Sequence, residues 1–298
     1  ERNLGRLGGL IHRMPWAGWL TLVGVLAIAG LPPLNGFVSE WLLLQAFLFS
    51  HEVPHQFVNM LLPLGAAIIA LAAALAAYVM VKFFGVIFLG QPREAALAQA
   101  HDAGGYEKAG LAWLAIGCVL LGLFPAQVIG ALGAATVQLI GAAPVAEASP
   151  WWMLAPLPGR QVSYAPLVLL AVMLVVLAAT SILVRRVYRR KVRRAPAWDC
   201  GFGRIDARMQ DTAEGFGQPI RHIFQAFFTM ERVLPSPFDH APRYRVVVGD
   251  RIWRAIYAPV GGIVQRIADS LAWLQQGRIS AYLMYSFITL VVLLAVVL

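Results

Sequence analysis

The chain has 298 residues, of which 59% are hydrophobic and 13% charged, and its mean hydropathy is +0.69. That composition excludes a disordered chain and an ordinary soluble enzyme, and it is the composition of an integral membrane protein. The formal net charge of +9 invites a nucleic-acid reading, but 17 of the 24 Lys and Arg fall between Arg185 and Arg278, beside apolar stretches. This is the charge pattern of a cytoplasmic loop under the positive-inside rule rather than an exposed basic face, so no nucleic-acid partner is expected.

The N-terminal residues 1–15 carry Arg2, Arg6, His12 and Arg13 and are expected on the cytoplasmic side. No small-residue cleavage site follows them, and the chain opens on Glu1 rather than Met, so it reads as part of a longer polypeptide. The first span covers residues 16–49. Pro32, Pro33 and Gly36 interrupt it, because prolines lack amide donors and clash with the preceding turn. In lipid such a break survives only where neighbours or water satisfy the freed carbonyls. Glu40 follows four residues after Gly36. At ~1.5 Å per residue it lies roughly 15 Å from Ser50, about half of a ~30 Å hydrocarbon core. A carboxylate at that depth is costly unless paired or hydrated, and by default it marks an ion or proton path.

His51-Glu52-Val53-Pro54-His55 matches the zinc-binding pattern of metalloproteases, which needs one continuous helical turn to place both imidazoles on one face. Pro54 disfavours helix at Val53, and no third ligand stands nearby, so the segment is read as a polar outer loop and no metal is expected. The second span covers residues 60–89 and is rich in small residues that permit close packing. Lys82 sits on it roughly 10 Å inside the cytoplasmic end, either as part of a proton relay or as an anchor that snorkels to the interface. The loop 94–108 is polar. The third span is expected over residues 109–124, ending before Pro125, with an apolar segment 126–140 that extends it or lies at the outer interface.

Residues 142–164 are rich in proline and carry Trp151 and Trp152, the pattern of an outer-side loop with an aromatic anchor. A fourth span, residues 165–184, runs into Arg185–Arg194, a stop-transfer cluster that sets orientation and is compatible with an anionic-lipid site. In the long basic loop 185–278 two amphipathic helices are expected. One carries Ile220, Ile223, Phe224, Phe227 and Phe228 on its apolar face. The other carries Trp253, Ile256, Tyr257, Val260, Ile263, Val264, Ile267, Leu271 and Leu274, with its axis interrupted at Pro259 and Gly261-Gly262. Such helices lie along a membrane surface or on a partner subunit. The fifth span is residues 279–298, which puts the C-terminus outside. The fold class is therefore all-α: a polytopic membrane protein of about five transmembrane helices, the first broken at Pro32–Gly36, plus amphipathic cytoplasmic helices. No cofactor-binding pattern is present: Cys118 and Cys200 alone supply neither a zinc site nor an iron–sulfur cluster.

Gly5-Arg6-Leu7-Gly8-Gly9-Leu10 followed by Leu31-Pro32-Pro33-Leu34-Asn35-Gly36-Phe37-Val38-Ser39-Glu40-Trp41 resembles the antiporter-like subunits of respiratory complex I, Mrp-type antiporters and group 4 membrane-bound hydrogenases. Pro196-Ala197-Trp198-Asp199-Cys200-Gly201-Phe202 and Arg208-Met209-Gln210 resemble the hydrogenase-linked branch, the large membrane subunit of formate hydrogenlyase and component B of hydrogenase-4. The match is to the C-terminal portion only. It implies an antiporter-like part over residues 1–141, an outer loop over 142–164 and a C-terminal extension over 165–298, carrying a lateral helix. It also implies that Glu40 occupies the ionisable position of a broken helix, that Lys82 lies on the following helix, and that earlier ionisable stations are outside this segment. The function implied is that of a non-catalytic subunit of a redox-driven ion-translocating complex in the cell inner membrane, beside other membrane subunits and a peripheral redox arm. A complex I or Mrp-type subunit, an assembly scaffold without its own ion path, and an intramembrane zinc protease are the competing readings.

Overall fold

The computed structural model describes residues 3–49, 54–141, 150–155, 163–188, 195, 198–201, 203, 205–207, 209–241, 243–274 and 277–297. They form two compact units, residues 1–217 and 218–298.

In the first unit two 3-10 turns, Leu4–Arg6 and Leu10–His12, lead into α1 (Pro15–Ile28) and α2 (Asn35–Phe49), the two halves expected of the broken span. α3 runs over Gln56–Phe88. The 3-10 turn Ala95–Gln99 precedes α4 (Gly105–Leu123), α5 (Pro125–Ile140) and α6 (Pro166–Val187). α3, α4 and α6 are long and apolar enough to cross a membrane. α5 is a helix of its own rather than an extension of α4: Phe124 leaves the helical region with φ −120° and ψ 46°, and Pro125 opens the next helix. Proline has no amide to continue the ladder of α4, yet fits the first turn of a new helix.

α1, α3 and the N-terminal residues pack around a core of Leu10, Val25, Phe84, Ile87 and Phe88, and α4 packs against α1 and α2. The N-terminal residues are docked rather than loose: Leu10 is buried and Gly9 N donates to Leu89 O at 2.9 Å. A second core, Val38, Leu154 and Tyr164, seals α2 against the chain that joins α5 to α6, with Leu154 and Tyr164 paired backbone to backbone. In lipid no hydrophobic force draws apolar helices together, so close van der Waals contact and small residues carry the packing. The most apolar window of α6 is unburied within the chain, as expected of a lipid- or partner-facing helix.

α7 covers Ala213–Ile223. The second unit then departs from the two-helix expectation. The helix ends at Ile223, and Phe228–Val233 (β1) pairs antiparallel with Arg245–Asp250 (β2), Phe228 opposite Asp250 and Val233 opposite Arg245. Phe227 and Phe228 therefore do not share a helical face with Ile220. The run Val246-Val247-Val248 and Thr229 favour a pleated, half-buried surface over a helix. The second amphipathic helix does form, as a turn over Trp253–Tyr257 continuous with α8 (Ala258–Leu271). Its axis is not interrupted at Pro259, Gly261 and Gly262. The turn before Pro259 widens, with Ala258 N bonded to Trp253 O, five residues back. This i→i+5 spacing absorbs the missing proline amide. α9 (Ile279–Val297) is the fourth helix of spanning length and apolarity.

Candidate functional site

The site is built by the way α1 stops. Gly30, with φ +66°, supplies the left-handed residue of the cap. Gly30 N donates to Ala27 O at 3.1 Å and Leu31 N to Leu26 O at 3.1 Å, a paired motif that closes the last turn. Pro32 and Pro33 follow and cannot donate to the carbonyls of Ile28 and Ala29, which a continuous helix would have satisfied. Leu34 N donates to Leu31 O at 3.0 Å, and α2 starts at Asn35.

Three glycines let the backbone close around this break. A methyl group on Gly36 would overlap Ala27 O, and one on Gly122 of α4 would overlap Pro33 O and the Leu34–Asn35 peptide. One on Gly30 would overlap Glu40 Oε2, because the Glu40 carboxylate is folded back onto the end of α1. Glu40 is half-buried, and among the described residues it has no hydrogen-bond or ion-pair partner. Pro32, Pro33, Gly36 and Glu40 thus lie in one place.

Lys82 is not brought into that place. It is half-buried on α3, six residues before the helix end at Phe88. Phe47 of α2 lies against Gly65 of α3. Seven residues before Phe47, Glu40 falls opposite about residue 72 of an antiparallel neighbour, so Lys82 lies roughly 15 Å away along the axis at ~1.5 Å per residue. A proton cannot pass between them in one hydrogen bond.

The end of the bundle where α1 starts and α3 stops is held by two polar clasps. Trp16 N and Ala17 N donate to the Asp102 carboxylate at 2.9 and 3.2 Å, and Ala103 N donates to it at 2.9 Å. Asp102 thereby caps α1 from another segment, since Met14 offers no side-chain cap. Desolvation pushes its carboxyl up, but the three amides and Lys108, 4.0 Å away, outweigh that and hold it below the usual carboxylate range. At the end of α3, Gln210 Oε1 accepts from Gln91 N at 2.8 Å and Gln210 Nε2 donates to Gln91 O at 2.9 Å. Arg93 donates to Asp211 O, and Gln91 Nε2 to Ile205 O at 3.3 Å. Gly90, with φ +76°, leaves the space that Gln210 Oε1 occupies. Gln210 is therefore a latch at the end of α3.

Sequence reasoning missed Gly30 and Gly122 as parts of the site, and Asp102 and Gln210 as clasps at the other end of the bundle. Only Gly30 carried a local signal, as the glycine just after an apolar helix. His55 is extended at the start of α3, while His51, Glu52 and Val53 lie outside the described residues. Arg185 and Arg186 close α6, whereas Arg189–Arg194, Pro196, Ala197, Phe202 and Arg208 also lie outside them.

The helix break and its surroundings can now be set beside known proteins. Residues 1–68 match the family model of the NADH:quinone oxidoreductase/Mrp antiporter transmembrane region. Over those residues the chain is similar to the antiporter-like membrane subunits. It is 29% identical to hydrogenase-4 component B of Escherichia coli over 303 residues, 98% of this chain and 44% of that protein. It is 32% identical to formate hydrogenlyase subunit 3 of the same organism over 251 residues, 82% of this chain and 38% of that protein. In fold it matches a chain of the membrane-bound sulfane sulfur reductase, an archaeal respiratory membrane complex, with a TM-score of 0.56 and 23% identity, over 98% of this chain and 42% of the other. The antiporter-like chain thus spans less than half the length of these relatives.

Proposed function

We propose that this antiporter-like chain is part of a non-catalytic membrane subunit of a redox-driven ion-translocating complex of the hydrogenase-4 and formate hydrogenlyase type, and that Glu40 and Lys82 are stations on its proton path. One observation carries the reading: the carboxylate of Glu40, the one charged residue of α2, is folded onto the broken end of α1. Its charged form is costly there, and the carbonyls freed by Pro32 and Pro33 can order water beside it. The ~15 Å between Glu40 and Lys82 requires a hydrated relay rather than direct exchange.

The relatives are named as subunits of hydrogenase-4 and formate hydrogenlyase. On that likeness the surroundings of this chain are other membrane subunits, a peripheral redox arm and the cell inner membrane. The charge asymmetry supports a cytoplasmic start, a cytoplasmic loop 185–278 and an outer C-terminus. The division into residues 1–141, 142–164 and 165–298 belongs to the same reading. The test is Glu40→Gln in the full-length protein within its complex, reconstituted in vesicles. Ion uptake should be lost with assembly intact, and uptake at the unaltered rate would remove Glu40 from the path. A scaffold reading is favoured by one feature, the exposed apolar stripe Trp253–Leu271. If deleting residues 245–275 costs assembly before it costs uptake, that stripe serves as scaffold.

A further inference from the structure

α1, α3 and α4 line an apolar groove of about 300 Å³. α1 packs against both of the other helices and makes the floor, with Val25 buried in it. Leu20, Gly24 and Ile28 of α1, Phe83 of α3, and Leu114 and Cys118 of α4 stand along it. Among the described residues no charged side chain lines the groove, and Thr21 supplies its one hydroxyl. Ile28 and Leu114 remain exposed, so the groove opens on the flank of the bundle.

The dimensions select the occupant. Leu20 and Ile28 are about 12 Å apart along α1, so the volume amounts to a channel of about 25 Å² in section. A helix about 10 Å across would need on the order of 80 Å². A single extended alkyl chain fits where a helix does not. Water is a poor filler, because it needs several polar partners and apolar cavities stay dry. An empty groove would forfeit the dispersion contacts of its walls. α3 and α4 are helices of spanning length, and the medium around such helices is acyl chain.

The mouth has the groups that a phospholipid headgroup needs. Trp16 stands one turn before Leu20 and Lys108 one turn before Leu111, with Lys108 Nζ 6.0 Å from the centre of the Trp16 ring. Tryptophan beside a cation at the end of a spanning helix marks headgroup level. Lys108 Nζ is also 4.0 Å from the Asp102 carboxylate, which already accepts from the amides of Trp16, Ala17 and Ala103. Glu107 is engaged in the same way, by Gly104 N at 2.7 Å. Basic residues at a crevice between spanning helices hold anionic headgroups.

We propose that this groove binds one acyl chain of an anionic phospholipid, with the phosphate at Lys108 and Trp16 and the chain running from Leu20 towards Ile28. The site is separate from Glu40 and stands whether or not Glu40 carries ions.

A phosphatidylglycerol carrying a diazirine in its acyl chain, reconstituted with the full-length protein in its complex, tests the site. After a detergent wash removes exchangeable lipid, illumination should attach the probe within residues 20–28, 80–83 and 111–118, read by peptide mass spectrometry. Gly24 is the place to fill the groove, because a methyl group there would meet nothing within 4 Å among the described residues. Gly24→Leu should cut the attachment several-fold without lowering the unfolding midpoint. Lys108→Gln leaves the lining intact and removes only the cation, so it serves even where Gly24→Leu does not assemble. It should cut attachment of the phosphatidylglycerol probe several-fold and leave that of a phosphatidylcholine probe with the same chain unchanged. No attachment at these residues in the wild type means that protein covers the groove, and overturns the proposal. Equal attachment in Gly24→Leu means ordinary surrounding lipid and overturns it too. Equal attachment of phosphatidylglycerol in Lys108→Gln would remove the anionic headgroup from the site.

Discussion

Two of the stretches in which this chain carries prolines and glycines close together end differently. At residues 30–36 the helix stops and restarts. At residues 259–262 it continues without a break. The number of lost donors differs: Pro32 and Pro33 remove two adjacent amides, whereas Pro259 removes one, which a single widened turn absorbs. The surroundings differ as well. The break is closed by backbone on backbone, with Gly36 on Ala27 and Gly122 on Pro33–Asn35, and it gives Glu40 a place to fold into. A methyl group on Gly261 or Gly262 would meet nothing among the described residues, and the apolar stripe from Trp253 to Leu271 is exposed. A proline–glycine run therefore makes a site only where neighbouring backbone is close enough to hold the opened ends.

That contrast can be broken by substitution. The largest effect should come from Gly36→Ala, whose methyl would sit on Ala27 O: the full-length protein should lose at least the ~1–3 kcal/mol of an overpacked core, read as a lowered unfolding midpoint in detergent. Gly262→Ala should do the opposite, raising stability by about 0.4–1 kcal/mol, because the helix there is open and glycine is the poorer helix former. If both glycines respond alike, backbone closeness is not what distinguishes the two stretches. Gln210→Ala should cost about 1–3 kcal/mol by freeing both polar groups of Gln91, and faster hydrogen exchange at residues 89–92 would localise it.

Asp102 sharpens the comparison through pH. Its folded carboxyl titrates below the ordinary value, so the stability it lends is fully present above the unfolded value of about 4 and is lost as pH falls through the lower folded value. Wild type should lose part of its midpoint below about pH 4, and Asp102→Asn should show a smaller loss over the same window. An identical acid profile in the variant would deny Asp102 its capping role. The smallest effect on stability is expected from Val264→Asp on the exposed stripe, within about 0.5 kcal/mol. Its effect should appear instead as weaker retention of the complex on purification.

Much of the fold was legible in the order of residues. Apolar runs of spanning length, the two prolines at residues 32 and 33, and the charge imbalance each act locally, and all four long helices and both halves of the broken span stand where those signals put them. The hairpin 228–250 was not legible, because Ile220–Phe228 satisfies a helical period until Phe224 leaves it, and the pairing with residues 245–250 is set by a distant segment. The site was half legible. Glu40 announces itself as an acid in an apolar run, and Lys82 likewise as a base. That Glu40 folds onto Gly30 while Lys82 stands about 15 Å away depends on the register of α2 against α3.

By itself the sequence determined that the chain belongs in a membrane, that its first span must break at Pro32–Gly36, and that the break ends four residues before a carboxylate. These follow from hydropathy, missing amides and chain connectivity, which need no neighbour. Only the tertiary structure decided that Gly36 and Gly122 seal the break, that Asp102 caps α1 across 85 residues or more of chain, and that Gln210 latches the end of α3. Each of those is a contact between segments distant in sequence. No local propensity encodes such a contact, because its geometry exists only once the helices have packed.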